Sequence, residues 1–384
     1  MAKKTKVGLK VPTLNELNKK YGSIIKMKAS EVDDHNLWLP STFFALNHQW
    51  GGGIPFGKIV EVAGEESSGK SLIAYNFAYA TQQLGGHVIW VDAEQSWMNS
   101  WAEENGVDPD NVTVVNDTRI EYVSDIVADL AIYWRSQLTH NEPILLVVDS
   151  IAAMDCSDNI DAKMVEGKAE MGGRAKALYK YFRIRNELFY RLGITQIYIN
   201  QVRTALNVGF GKDNTTTTGG AALKFWASIR VAFFAGRSIT VKSKGRERKA
   251  GKLVTLRLLK NKVAPPKPTI SKCPVYFNPK LHDIGFDRYF YLDEVFVEEE
   301  VIDKGNGGIF KYKGEKIARG EEKFRELLES DDDLRRKLLK RAGINTIGAT
   351  RKKLESINVN LFPVDGVEYE SFNDAEDDED GEDE

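Results

Sequence analysis

Residues 58–77 read KIVEVAGEESSGKSLIAYNF. A short β-branched run, Ile59 to Val62, breaks at Gly64, and a helical pattern begins after Ser71. Between them Gly64-Glu65-Glu66-Ser67-Ser68-Gly69-Lys70-Ser71 fits G-x-x-x-x-G-K-[ST] without a mismatch. Glycines at those positions let the backbone wrap closely around phosphate oxygens, with its N–H groups at the positive end of the following helix. Lys70 is placed to neutralise β- and γ-phosphates, and the Ser71 hydroxyl to take a Mg²⁺ position. The alternative is a plain Gly/Ser connector. The strand before and the helix after favour the nucleotide site.

Outward from this loop, apolar runs alternate with helical patterns. The helix of residues 71–84 leads to HVIWVDAE (87–94), and a helical stretch then leads to ILLVVDS (144–150). An amphipathic segment at 172–191 leads to ITQIYINQ (194–201), and IRVAFFA (229–235) and LVTLRLLKNK (253–262) follow a Gly/Thr-rich loop. This alternation predicts an α/β fold, a mostly parallel sheet flanked by helices. Ligands of such sheets sit at the carboxyl ends of the strands, and here those ends are polar. They are the loop itself, Asp92-Ala93-Glu94, Asp149-Ser150 and Asn200-Gln201. Asp149 suits a Mg²⁺ shell, Glu94 suits orienting or deprotonating an attacking water, and Gln201 suits sensing a γ-phosphate. Taken singly, each reads equally as a satisfied loop or capping group; four such strand ends together read as a catalytic centre.

Composition sets the frame. The 384 residues are 42% hydrophobic and 28% charged, ordinary for a globular chain. No apolar run approaches ~18 residues, and MAKKTKVGLKVP lacks the apolar stretch of a secretory signal, so no membrane partner is expected. Cys156 and Cys273 make no disulfide framework, and five scattered histidines make no metal cluster; a reducing cytoplasm is the expected setting. The net charge of −3 hides an asymmetry, because residues 374–384 hold nine acidic residues and no basic one. Without those nine the body carries 53 basic against 47 acidic residues. That pattern reads either as a polyanion partner with an intramolecular competitor or as a solubilising tail.

Two loops stand apart from the nucleotide signals. VEGKAEMGGR (165–174) sets Met171 beside Gly172 and Gly173, ahead of a basic helix with Lys176, Lys180, Arg183 and Arg185. RTALNVGFGKDNTTTT (203–218) leads into Gly219-Gly220; its Leu206 and Phe210 suit stacking between bases, and Arg203 and Lys212 suit phosphates. A mobile surface loop is the competing reading of the second. The basic segment 236–257 reads as a solvated hairpin or a second groove for nucleic acid. Near the N-terminus, Thr13 and Glu16 form a capping box before a short helix, and SIIKM (23–27) reads as a strand that packs elsewhere, such as on a neighbouring subunit. From Asp287 a small α+β unit is expected. Its strands would be RYFYLDEVFVEE (288–299) and IFKYKGEKI (309–317), and its helices 321–329 and 332–342. Residues 344–373 give no clear signal. The expected organisation is an arm (1–45), a core (46–286), a small C-terminal domain (287–345) and an extension (346–384).

Taken together these residues resemble one family, the bacterial RecA recombinases and their phage-encoded relatives. The resemblance runs from about Tyr21 to Gly343 through YGSIIKM, GGGIPFGKIVEVAGEESSGKS, VDAE, NGVDPDNV, LLVVDSIAAM, EMGGRAKAL, INQVR, FGKDNTTTTGGAALKFWASIR, LLKNKVAPP and FKYKGEKIARG. The TTTTGGAALKFWASIR stretch is the most specific. The resemblance implies a RecA-type ATPase core that uses ATP and Mg²⁺ and forms a helical homopolymer on single-stranded DNA. It would then pair that strand with homologous duplex DNA, alongside single-strand-binding and mediator proteins. It implies Glu94 as the water-activating carboxylate, Lys70 and Ser71 on phosphate and Mg²⁺, and Asp149 completing the metal shell. Trp101 falls where the family has a tyrosine on adenine. Gln201 would couple γ-phosphate to the 203–218 loop, Phe225 would lie at the subunit interface, and Lys260 and Lys262 would reach the neighbour's ATP. The loops at Met171 and Leu206 would bind DNA, with Arg183, Gly219 and Gly220 on its phosphates, and the unit at 13–27 would dock on the next protomer. Glu65 replaces the usual proline, Ser71 a threonine and Ala221 an asparagine, and the 236–257 hairpin is longer and more basic than usual. A hexameric helicase motor on the same core fold and a passive single-strand binder are the other readings. The first needs an arginine finger and an N-terminal domain that the sequence does not display, and the second leaves Lys70, Glu94 and Asp149 unexplained.

Overall fold

A computed structural model of the chain describes residues 37–138, 141–164, 172–204, 215–217, 221–243 and 245–375, together with Glu16 and Lys19. The arm at 13–27 apart from Glu16 and Lys19, Met171, Leu206, Phe210, Lys212, Gly219, Gly220 and residues 376–384 lie outside the described residues.

Two short strands, β1 (Trp38–Leu39) and β2 (Ile54–Pro55), pair antiparallel around helix α1 (Phe44–Trp50). The main sheet begins with β3 (Ile59–Gly64), followed by α2 (Lys70–Gln83), β4 (His87–Asp92), α3 (Asn99–Glu104), β5 (Val112–Val115), α4 (Ile120–Gln137) and β6 (Ile144–Asp149). It continues through α5 (Ser157–Met164), α6 (Gly173–Arg191), β7 (Ile194–Thr204), β8 (Thr215–Thr217), α7 (Ala222–Trp226), β9 (Ile229–Ser243), β10 (Arg246–Asn261), β11 (Ile270–Tyr276) and β12 (Gly285–Phe286). The strand order is β12-β11-β10-β9-β3-β7-β6-β4-β5, with β8 paired to β7. From β9 to β5 all neighbours are parallel, and β10, β11, β12 and β8 join antiparallel.

The period-2 alternation of the strands explains why both faces are covered. Leu145 and Val147 of β6 enter one apolar cluster with Val60, Val62 and the α2 residues Ile73 and Phe77. Ile144, Leu146 and Val148 enter the other, with Val123 and Val127 of α4 and Leu178 and Phe182 of α6. The parallel α/β architecture expected from the sequence is therefore present. The segment 236–257 forms most of a hairpin in which β9 and β10 pair from Asn261↔Ile229 out to Arg246↔Ser243, and its outer part is exposed.

A third cluster gathers Leu292, Val295, Phe296, Phe310, Phe324, Leu328, Leu338 and Leu339. It joins α8 (Leu292–Glu298), the sheet β13 (Asp303–Gly305), β14 (Ile309–Tyr312) and β15 (Glu315–Arg319), and helices α9 (Glu321–Ser330) and α10 (Asp332–Arg341). One expectation is corrected: RYFYLDEVFVEE contains helix α8 rather than a strand. Leu292, Val295 and Phe296, spaced i, i+3, i+4, are all fully buried there, and that helical spacing outweighs the strand propensity of the aromatics.

The unread segment after Ile344 also has a clear structure. Helix α11 (Ile347–Glu355), capped by the Thr346 hydroxyl, ties to β1 through Thr350 Oγ1 donating to Trp38 O at 3.0 Å. Residues 356–375 then cross the back of the core as an extended strap. The Asn141 amide donates to Val359 O (2.8 Å) and accepts from Leu361 N–H (2.7 Å). The Phe362 ring lies against Gly193, where a Cβ would stand 2.7 Å from it, with the Arg135 guanidinium 5.1 Å from its centroid. Tyr369 Oη donates to Asp129 (2.6 Å), Ser371 Oγ to Asp125 (2.9 Å), and Phe372 is buried among α4 and α6 residues.

Candidate active site

The mouth of the site is the β3–α2 turn. Gly64 packs so closely that a Cβ would stand 2.5 Å from Phe233 O, and Gly69 takes the left-handed conformation (φ 90°) as it caps α2. Side chains at either position would deform the turn. Ser68 Oγ bonds Glu65 O at 2.8 Å and closes the loop on itself, while Lys70 Nζ donates to Glu65 O at 2.6 Å. Burial lowers the Lys70 pKa, and the carboxylates of Asp149 and Glu94 pull it back up. The half-buried ammonium therefore stands where a polyanion would neutralise it.

β4 and β6 are adjacent and in register at Asp92↔Asp149, which brings the two acidic strand ends beside the loop. Ser71 Oγ donates to Asp149 Oδ2 at 2.7 Å. Burial raises the Asp149 pKa to about 6; the Ser71 hydrogen bond lowers it and the nearby Glu94 charge adds to the rise. Glu94 lies just past β4 with its N–H on Asp149 O (3.2 Å), and its Oε1 accepts from Ser150 Oγ at 2.5 Å. Asp92 holds this turn by accepting the N–H groups of Ser96 and Trp97, both at 2.9 Å. Ser150 and Asp92, named from the sequence only as parts of polar strand ends, are contributors to which no role was given there.

A hydroxyl and a carboxylate in contact are hard oxygen donors. Among the described residues no set of three His, Cys, Asp or Glu side chains forms a metal cage. That fits Mg²⁺, which takes one or two protein oxygens and completes its octahedron with water and phosphate. The Asp149 shift carries a testable sign. A carboxyl raised from 3.8 to about 6 by burial favours the protonated native state, so its ionisation costs stability as pH rises through that window. Asp149→Asn is expected to raise the metal-free unfolding free energy by roughly 1–3 kcal/mol at pH 8 and to change it little at pH 4. Denaturant melts at the two pH values check this.

The remaining predicted residues fall around this centre. Gln201 follows Asn200 where β7 leaves its parallel pairing with β3 at Gly64↔Gln201. The strand does not end there as expected but runs on to Thr204 against β8, and the Gln201 N–H is held by Asn200 Oδ1 at 2.8 Å. Trp101, on α3, is partly exposed and packs on the first cluster. Phe225 on α7 is 68% exposed, a large apolar side chain left uncovered. Lys260 Nζ donates to Lys224 O (2.6 Å) and Phe225 O (3.1 Å), and Lys262 is exposed beside it. Gly172 and Gly173 open α6, followed by Lys176, which is exposed, and Arg183, which is partly so. Arg203 belongs to β7, paired in register with Thr216. One residue of the expected basic face is corrected. Arg185 is buried, donating to Ser124 Oγ (2.8 Å), Ser124 O (3.2 Å) and Glu370 O (2.8 Å), and ion-paired with Asp125. It belongs to the apolar stripe of α6, between Phe182 and Leu188, and not to a DNA-facing surface.

The family model for the RecA N-terminal domain matches residues 9–278. This chain belongs to the RecA family. Protein RecA of Desulfovibrio desulfuricans is 34% identical to it over 328 residues, covering 85% of this chain and 86% of the relative. Protein RecA of Corynebacterium glutamicum is 32% identical over 329 residues, with 85% and 81% covered, and that of Porphyromonas gingivalis 32% over 322 residues, with 83% and 87% covered. Membership gives the chain a recombinase role in recombination and repair and the general DNA-dependent ATPase activity of RecA proteins, and it does not favour the helicase motor. No helix among the described residues is long and apolar enough to cross a membrane.

Proposed function

We propose that this RecA-family member hydrolyses ATP with Mg²⁺ at the β3–α2 loop and polymerises through its nucleotide on single-stranded DNA. The filament would pair the bound strand with homologous duplex DNA and exchange strands. The observation that carries this reading is the convergence of Lys70, the Ser71–Asp149 contact and the Ser150-held Glu94 at one strand-end mouth. Lys70 binds the β- and γ-phosphates. Ser71 and Asp149 would hold Mg²⁺, which when bound would supply a Lewis acid at the phosphates. Glu94 accepts the proton of the attacking water, held in place by Ser150. Trp101 offers a π-face to adenine, which an exchange of tyrosine for tryptophan preserves. Gln201 reads the γ-phosphate, and Lys260 and Lys262 reach the nucleotide of the adjacent protomer, where exposed Phe225 also sits.

The DNA path follows from the two loops. Met171, Gly172, Gly173, Lys176 and Arg183 at the first loop, and Arg203, Leu206, Phe210, Gly219 and Gly220 at the second, would contact the strand. Backbone contacts predominate, and base pairing supplies the sequence selection. The arm at 1–45 builds the polymer, the core of 46–286 carries the chemistry, and the unit of 287–345 is appended to it. Single-strand-binding and mediator proteins are further partners in a cytoplasmic setting. This reading expects tight single-strand binding with a non-hydrolysable ATP analogue and weak binding with ADP. Equal affinity in the two states would contradict it.

The acidic end acts as a competitor for duplex DNA. Deleting residues 376–384, which spares the strap's anchors at Tyr369, Ser371 and Phe372, is expected to tighten duplex binding several-fold at low salt and to have little effect at high salt. Fluorescence anisotropy across a salt series measures it; no change at low salt would leave the segment a solubility tail.

A further inference from the structure

Behind the strand ends lies a buried polar network that the hydrolytic set does not use. Glu61, in the middle of β3, is wholly buried. Its Oε1 accepts from Asn200 Nδ2 at 2.9 Å and its Oε2 from Arg230 Nε at 2.5 Å. Asn200 is likewise buried, and its Oδ1 accepts the N–H of Gln201 at 2.8 Å. The three side chains come from neighbouring parallel strands, β7, β3 and β9, with Ala63↔Asn200 and Glu61↔Arg230 in register. The network continues on the far side. Arg230 pairs across the β9–β10 ladder with Lys260, beside a bulge between Leu258 and Lys260, and Lys260 Nζ holds the carbonyls of Lys224 and Phe225. Arg230 and Glu61 both bear on the Lys260 ammonium, whose pKa is lowered first by burial, then by Lys262 and Arg230, and raised by Glu61.

A carboxylate taken wholly out of water is costly unless each oxygen is matched, and apolar replacements of such groups are often neutral or stabilising. Sheet packing alone therefore does not call for this network. Its two ends suggest a different use. One end fixes the N–H of Gln201 where β7 runs on toward the 205–214 segment. The other fixes the β9–β10 register that carries Lys260, whose ammonium holds the carbonyl of the exposed Phe225 on α7.

We propose that Glu61, Asn200 and Arg230 are positioning residues that mechanically join Gln201 to the Lys260–Phe225 corner. A shift at the γ-phosphate side of one protomer then moves the surface offered to its neighbour. The inference rests on the proposed roles of Gln201 at the γ-phosphate and of Lys260 and Phe225 at the adjoining subunit. The brace itself touches neither nucleotide nor DNA. Its expected signature is loss of coupling with nucleotide binding retained.

The full-length chain tests this with Glu61→Gln, with the charge-neutral pair Glu61→Gln/Arg230→Gln, and with Gln201→Ala. Three quantities are read for each: the thermal unfolding midpoint, affinity for a fluorescent ATP analogue without DNA, and the ratio of affinities for fluorescein-labelled oligothymidylate with β,γ-imido-ATP and with ADP. The proposal predicts that both brace variants keep nucleotide affinity within about twofold and lose most of that ratio, at least tenfold, as Gln201→Ala does. If Glu61→Gln leaves Arg230, whose side chain is 12% exposed, without its charge partner and fails to fold, the double variant gives the answer, because it strands no lone charge. Loss of the ratio in Gln201→Ala alone would overturn the brace while leaving the reading of Gln201 intact. Retention in all three would overturn that reading and the brace with it. Loss of nucleotide affinity along with the ratio would make the network part of the nucleotide pocket and would also overturn the proposal.

Discussion

Glu94→Gln is expected to abolish most ATP turnover, by a factor of a hundred or more, while ATP-dependent binding to single-stranded DNA is kept. The amide preserves the shape of the side chain and an oxygen that can accept from Ser150 Oγ, the 2.5 Å contact that aims the group. It removes only the ability to take a proton from water, and a positioned general base typically contributes about 10²–10⁴-fold. In the proposed mechanism phosphate binding falls to Lys70 and the loop N–H groups and metal binding to Ser71 and Asp149, whose contacts with Glu65 O and with each other the change does not touch. Filaments should therefore form and persist, since in the proposed cycle hydrolysis is what weakens them. Steady-state turnover, measured beside oligonucleotide anisotropy, separates the two effects. Unchanged turnover would remove Glu94 from the mechanism, and loss of both would make it a structural residue of the mouth.

Arg185→Ala should cost about 3 kcal/mol of stability and free the C-terminal strap. The guanidinium is enclosed between α4, α6 and the strap, where it serves Ser124, Asp125 and Glu370 O and lies 4.8 Å from the Tyr369 ring centroid. Truncation removes the charge partner of Asp125 and the donor to two carbonyls, and breaking a buried pair from one side is typically worth about 3–5 kcal/mol. The lower end applies because Asp125 is one-third exposed and also holds Ser371 and the Phe372 N–H. Urea unfolding gives the energy, and limited proteolysis gives the location, with new cleavage expected between residues 356 and 375. Cleavage confined to other parts of the chain would show that Phe362 and Asn141 hold the strap without it.

The parallel core was legible because its strands are short apolar runs ending in polar residues. Gly64, Lys70 and Ser71 announced the loop, and Glu94 and Asp149 fell at strand ends where the fold delivers ligands, while Gln201 falls where β7 leaves β3 and runs on to Thr204. What stayed hidden depends on partners far away in sequence. Arg185 reads as one more cation on a basic helix, but it lies on the line of Leu178, Phe182 and Leu188, and Arg135 likewise continues the line of Val127, Ala128 and Ala131 on α4. A charged residue on an apolar stripe was the available sign that something arrives to satisfy it. The arriving segment, 356–375, has no periodicity of its own, because it is shaped by the groove it crosses. Glu61 stands within a β-branched strand for a comparable reason, since its partners Asn200 and Arg230 come from strands more than a hundred residues later. RYFYLDEVFVEE misled because aromatic and β-branched residues favour strands on average, while the burial of Leu292, Val295 and Phe296 on one helical face decides the outcome here.

The central claim is that this chain couples ATP turnover to polymerisation on single-stranded DNA. ATP hydrolysis measured with and without single-stranded DNA, with electron microscopy of the same samples, tests it most directly. Strong stimulation by DNA together with ATP-dependent helical filaments is the predicted result; hydrolysis indifferent to DNA, carried out by closed rings, would contradict it.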